Sequence, residues 1–451
     1  MQRRSFLKGS LAAATSLLTP TLSQARALEL DAISFDRGRY SSNNAQTIVI
    51  FMYGGASQLA GNLSNIEEIA EKSQSNYDNY FRGVTPTARE CWQEAGGTHM
   101  ESLLDAGDMT IFRSCYSAVR EENNNKAHGL CVTQNQKGSF DETSAGIVTN
   151  LAQILQHQGL IDEESILPFV SLEGDSVFSQ EGELQLDAFL KPASLDEALK
   201  NPYERDERDW FYYTPEEQDI DDYHSSTRGF DASIHAKMDQ LSQSMNSEGK
   251  IKDAFSKRVE LDEFMKSIAL STVPDLGEEA YPNNDSFAEK LETSIKIMVN
   301  NPDTKMITVG TGGLGGWDDH NDAREYVSRM ESLFQSLRSA VAHLKAEGKE
   351  ESINIMVFGE FGRNVNLNAA LGWDHGNLQN LYVLGGKRYF SHRGVVGETV
   401  VEDTGSINRL YLKPKAGSYS FEPMSIAATI YSIYGVNNPE ILCSGNSVIE
   451  L

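Results

Sequence analysis

The chain is short of cysteine, of positive charge and of long apolar runs, and each shortage excludes something. Its four cysteines, Cys91, Cys115, Cys131 and Cys443, include no C-x-x-C pair, which argues against a thiolate zinc site. No stretch is apolar enough for a membrane-spanning helix. Lysine and arginine together number 39 against 65 acids, for a formal charge of −26. Such a surface repels nucleic acid and anionic lipid and does not draw in anionic substrates from a distance. A phosphate or sulfate ester would therefore need a local cation. No internal repeat is visible. The 39% hydrophobic content is adequate for a core while leaving room for long surface insertions.

What is present begins with an address. Arg3-Arg4-Ser5-Phe6-Leu7-Lys8 precedes a weakly apolar run over residues 11–22 and then Ala25-Arg26-Ala27. A charged start, a short apolar stretch and an A-x-A site form a cleavable export signal. The arginine pair selects the twin-arginine (Tat) route, with the Tat translocon as partner during export. Thr15, Ser16, Thr19 and Pro20 keep the run too polar to stay in a bilayer, and no cysteine near the cleavage site offers a lipid anchor. The expected organisation is a signal peptide over 1–27 and one α/β domain over 28–451. The domain carries a helical, acidic insertion at about 187–282, and the expected location is periplasmic or extracellular. In that oxidising compartment at least one disulfide among the four cysteines is expected. The acid cluster Glu216, Glu217, Asp219, Asp221 and Asp222 lacks the spacing and central glycine of a calcium loop and reads as a solvated face.

Near-continuous apolar runs at 47–53, 109–112, 166–172, 305–309, 353–358 and 381–384 predict strands covered on both faces. Between two of them, apolar residues at three–four spacing predict a helix over 322–347, stopped by Gly348. Strand, helix, strand is a right-handed crossover, hence a mostly parallel sheet with helices on both faces. Ligands of such sheets gather at the carboxyl ends of the strands.

Chemistry-bearing residues follow those ends. Gly316-Trp317-Asp318-Asp319-His320 comes after one strand and Gly359-Glu360-Phe361-Gly362-Arg363 after the next. Trp373-Asp374-His375-Gly376 lies downstream, and Ala127-His128-Gly129 sits in a polar loop after an earlier strand. Carboxylates and imidazoles together suit a hard or borderline divalent ion. The candidate ligands are Asp318, His320, Glu360, Asp374, His375 and His128. Gly310, Gly312 and Gly315 also spell G-x-G-x-x-G, the fingerprint of a dinucleotide-dependent oxidoreductase. That fingerprint should open directly into a helix, whereas here Trp317 to His320 intervene.

These motifs, with Gly54-Gly55-Ala56, Gly138 and Ser144-Ala145-Gly146-Ile147, resemble the exported family called domain of unknown function 1501. That family looks like a distant branch of the alkaline phosphatase and sulfatase superfamily. The resemblance implies a three-layer alkaline-phosphatase-like fold and a divalent ion (zinc, calcium, magnesium or manganese). It implies a small anionic ester as substrate, with Asp318 and His320 as a ligand pair, Glu360 as an acidic ligand, and His375 with Asp374 as the last. Arg363 would orient a substrate oxygen. Ser57, where family members often carry aspartate, is a candidate nucleophile beside Ser144 and Thr143. The functions implied are a metal-dependent phosphate or sulfate ester hydrolase, or a non-catalytic periplasmic binding or assembly protein on a degenerate scaffold.

Overall fold

The computed structural model describes residues 30–73, 77–81, 83–182, 186, 187, 190–194, 260, 264, 267, 268, 270–402 and 409–450. The signal peptide, the acid cluster at 216–222 and most of the 187–282 segment lie outside the described residues.

The main strands are β1 (Gln46–Met52), β2 (Met109–Tyr116), β3 (Phe169–Ser171), β4 (Ala193–Ser194), β5 (Met306–Gly310), β6 (Ile353–Gly359), β7 (Leu378–Gly385) and β8 (Gly394–Val396). They form one eight-stranded sheet in the order β4-β3-β5-β1-β6-β7-β2-β8. All neighbours are parallel except β7, which runs antiparallel to both β6 and β2. The six expected strands are present within a few residues. The short β4 and β8 carry too few residues for a periodic signal. β4 also takes the sheet into the stretch expected to be an insertion. A separate ribbon pairs β9 (Thr399–Glu402) with β10 (Tyr411–Pro414).

Side chains of β1 alternate between two cores. Ile48, Ile50 and Met52 pack on one face with α3 (Ser286–Asn300) and α4 (Glu325–Ala346). Val49 and Phe51 pack on the other with α2 (Ile147–His157) and α5 (Met424–Ile433). The result is a three-layer α/β sandwich with helices on both faces. In α4, the buried Tyr326, Met330, Leu333, Phe334, Leu337, Val341 and Leu344 form the expected stripe. Seven such side chains supply about 10–20 kcal/mol of gross burial.

α4 begins later than the spacing suggested. Asp322 is left-handed (φ 48°), and its carboxylate accepts from Arg324 Nε at 2.7 Å, so the first helical residue is Glu325. Gly348, also left-handed, follows the C-cap Glu347 as expected. The expected disulfide is not formed: all four cysteines are buried and free. Compartment alone motivated that bond, and nothing in cysteine spacing specifies which residues the fold brings together.

Candidate metal centre

Chain direction brings the expected motifs to one edge. Phe51 pairs with Gly310 and Met52 with Gly359, so β1, β5 and β6 end together. β5 and β6 are not neighbours; the crossover through α4 spans β1, which lies between them. β7 starts where β6 ends because the two are antiparallel, so Trp373-Asp374-His375 reaches the same edge from before its strand. An antiparallel bridge joins Arg363 to His375. His128 arrives differently from the sequence expectation. It is the first residue of α1 (His128–Lys137), not part of a loop.

Close approach of these pieces depends on Gly54 and Gly55, both at positive φ (106° and 75°). A Cβ on Gly54 would strike the Trp317–Asp318 backbone, and one on Gly55 the Phe361 ring. Gly54 N–H donates to Glu360 Oε1 at 2.6 Å, and Trp317 N–H to the Tyr53 carbonyl at 3.0 Å.

Four of the six candidate ligands converge. His128, Asp318, His320 and His375 each present one ligand atom, all within 4.8 Å of one another. Nε2 of His320 lies 2.8 Å from Nε2 of His375 and 3.2 Å from Asp318 Oδ1, and His128 Nε2 lies 3.5 Å from that same oxygen. The opposite ring nitrogens all face acceptors. His128 Nδ1 meets Glu360 Oε2 at 2.6 Å, His375 Nδ1 the Lys126 carbonyl at 2.7 Å, and His320 Nδ1 faces Asp374 Oδ1 at 3.4 Å. An acceptor at Nδ1 keeps the proton there and leaves the Nε2 lone pair free. Three lone pairs and a carboxylate directed at one point are a donor set for a divalent cation. Glu360 and Asp374, expected as ligands, instead stand behind His128 and His320.

The electrostatics agree with this donor set. Burial and then the charge of Arg363 push the His375 pKa down to about 4, so its imidazole is neutral near pH 7. Burial opposes ionisation of Asp318, but the Arg363 guanidinium, hydrogen-bonded to it, outweighs that and holds the carboxyl below its ordinary value. The cluster is open on one side: the side chains of Asp318, His320 and His128 are 51%, 37% and 35% exposed.

Arg363 and Ser57 are placed against their expected roles. Arg363 is 1% exposed. Its guanidinium donates to the carbonyls of Gly55 (2.7 Å), Trp373 (3.0 Å), Trp317 (3.2 Å) and Gly54, and to Asp318 Oδ1 (2.6 Å). Its side chain is 0% exposed, so it is not presented to a substrate oxygen; Arg363 fastens three loops and orients Asp318. Ser57 is buried, its Oγ faces the Leu59 amide at 3.4 Å, and it takes no part in the cluster. In the 141–144 turn, Ser144 Oγ and Thr143 Oγ1 are bonded to Asp141.

The glycine loop is likewise not a dinucleotide turn. Trp317 is buried with its indole N–H on Thr311 Oγ1 at 2.7 Å, and the loop runs on to Glu325 before a helix starts. A cavity of about 410 Å³ opens on the same edge at the end of β3, lined by Ser171, Asp175, Ser176 and Gln180 among others, but no cluster residue lines it. Sequence reading missed the Lys126 carbonyl, which has no side-chain signature. It also missed Phe361 as the ring packed on His128 and His375, with centroids 5.0 and 4.6 Å away.

A family model described as "Protein of unknown function (DUF1501)" matches residues 44–411. No curated protein matches significantly. Among solved structures, Ps i-CgsB in complex with k-i-k-neocarrahexaose is similar at 8% identity and TM-score 0.38, covering 89% of this chain and 77% of its own. Alkaline phosphatase from the Antarctic bacterium TAB5 is similar at 11% and 0.33, covering 86% and 98%. Phosphonate monoester hydrolase SpPMH from Silicibacter pomeroyi is similar at 11% and 0.32, covering 90% and 78%. At these values the activity must be read from the site itself.

Proposed function

Because the chain belongs to this DUF1501 family of unknown function, we propose from its own site that it is an exported, metal-dependent hydrolase of a phosphate or sulfate ester. The observation that carries this is the convergence of three Nε2 atoms and Asp318, with every Nδ1 facing an acceptor. Three imidazoles and one carboxylate suit zinc or manganese better than calcium or magnesium, which prefer oxygen. The solvent-facing side of the cluster, where Asp318 is 51% and His320 37% exposed, would give a substrate access to the ion. When bound, the ion supplies Lewis acidity to an ester oxygen and to an attacking water.

The chain's own residues do the rest. Glu360, Asp374 and the Lys126 carbonyl fix the three rings, and Arg363 fixes Asp318. With Ser57 buried and Arg363 occupied, the attacking group in this reading is water, not a side-chain hydroxyl. The same two placements favour a second reading, a non-catalytic periplasmic binding or assembly protein that keeps the centre. Elemental analysis of the purified mature protein, followed by assays on phospho- and sulfo-esters, separates them. The hydrolase reading expects about one ion per chain and turnover. Metal without turnover favours the binding protein, and absence of metal sinks the centre.

Two further proposals rest on the sequence alone. The chain is exported through the Tat route to the periplasm or beyond, and residues 28–451 form one α/β domain with an inserted segment. Among the described residues no helix is long and apolar enough to cross a membrane.

A further inference from the structure

Arg120 is 2% exposed, and burial lowers its pKa. It belongs to the short helix Ala118–Glu122 and lies outside every motif considered above. Its side chain makes three hydrogen bonds, all to uncharged oxygens: Nε to Gln134 Oε1 at 2.8 Å, Nη1 to the Glu360 carbonyl at 3.1 Å, and Nη2 to Asn135 Oδ1 at 2.6 Å. A buried guanidinium without a carboxylate in contact is costly, and an apolar side chain would fill the space more cheaply. What the guanidinium contributes is geometry.

Its contacts close a ring that passes through one ligand of the candidate metal centre, His128. Asn135 turns its amide to the carbonyls of Gly359 (2.7 Å) and Glu360 (2.9 Å), which ties α1 to the end of β6. α1 begins with His128, and the Glu360 carboxylate holds His128 Nδ1. Arg120, Asn135, α1, His128 and Glu360 thus form a closed path. A second path leaves from the Arg120 carbonyl, which accepts from Asn125 N–H at 3.0 Å at the base of the loop whose Lys126 carbonyl holds His375 Nδ1. That second bond is made by backbone and would survive any side chain at 120, so the guanidinium itself bears on His128, whereas Asp318 and His320 are fixed elsewhere, by Arg363 and by the Asn368 bond to the His320 carbonyl at 2.9 Å.

We propose that Arg120 is a positioning residue of the metal centre, acting through Asn135 and the Glu360 carbonyl to aim His128. This rests on the metal reading of the cluster. The test is Co²⁺ titration of the full mature protein, read by affinity and by visible absorption, for wild type, Arg120→Met, Arg120→Lys, Asn135→Ala and His128→Ala. Arg120→Met should lower affinity about 10- to 100-fold, as expected for losing a partner behind a ligand, and shift the spectrum toward that of His128→Ala. Arg120→Lys should recover only part, since one ammonium cannot span three acceptors. If Arg120→Met does not fold, Asn135→Ala decides, and it should show the same direction of change. Wild-type affinity and spectrum in Arg120→Met, or in Asn135→Ala when that variant decides, overturn the proposal. Failure of the wild type itself to take up Co²⁺ would instead sink the metal reading on which it rests.

Discussion

Nε2 of His320 and Nε2 of His375 face one another at 2.8 Å across 55 residues of sequence. Two nitrogen lone pairs at that distance require a shared proton or a cation between them. Replacing either histidine by alanine should lower metal affinity by more than the roughly 10- to 100-fold typical of losing a group behind a ligand. Both side chains are partly exposed, so the fold should survive. Metal content and circular dichroism of the two variants check this. Unchanged metal content in either one removes that histidine from the centre.

The sequence carried the sheet well, because strands buried on both faces are apolar runs and α4 has a clean stripe. It carried the motifs too, since acids and histidines after strands are conspicuous. It did not carry the division between ligands and supports. Glu360 and His128 look equally ligand-like in sequence, and only the 2.6 Å contact between them gives the carboxylate to the ring. Arg363 invited a substrate-facing role for the same reason: an arginine beside a site is indistinguishable in sequence from one buried beneath it. Arg120 and Asn135 gave no signal, being isolated polar residues whose meaning appears only once both are seen to be buried.

The thiols should behave as buried and unpaired. Burial raises the pKa of all four, Cys91 to about 11, which suppresses the reactive thiolate. Thiol titration of freshly isolated protein should count four after denaturation and close to none before. Two or fewer under denaturing conditions would mean that a disulfide forms after all.

Glu173, at the end of β3, gives stability a pH dependence of known sign. Burial raises its pKa, against the opposing hydrogen bond from Tyr53. The folded state then binds the proton more tightly than the unfolded one. The associated stability is present below the ordinary carboxyl pKa and is lost as pH rises through the folded value. Glu173→Gln keeps an acceptor for the Tyr53 hydroxyl, 2.9 Å away in the wild type, but cannot ionise. Its Tm relative to wild type should climb as pH rises from about 4 to 7, across the usual carboxyl range and above it. A difference that is flat with pH would show that the Glu173 pKa is not raised by folding.

Export should depend on the arginine pair itself and not on its charge. The double variant Arg3→Lys, Arg4→Lys should accumulate uncleaved in the cytoplasm, as fractionation and the mass of the N-terminus would reveal. Normal processing of that variant would rule out the Tat route.

Arg363 provides the sharpest contrast between a residue that holds the site and one that binds substrate. Four backbone carbonyls and Asp318 share its donors, and it is fully enclosed. Arg363→Met would leave those carbonyls without their donor and Asp318 without its cation. Loss of one partner from a buried charged network costs on the order of 3–5 kcal/mol, part of which water can recover at the exposed Asp318. Arg363→Lys keeps the charge but not the planar fork, so it should recover only a minor share of the loss. Urea unfolding measures both variants without any knowledge of the substrate. A stability loss near the expected size, with Lys close to Met, fits an arginine that fastens the Gly54, Trp317 and Trp373 loops around the centre. If both variants unfold like wild type, Arg363 is not holding these loops.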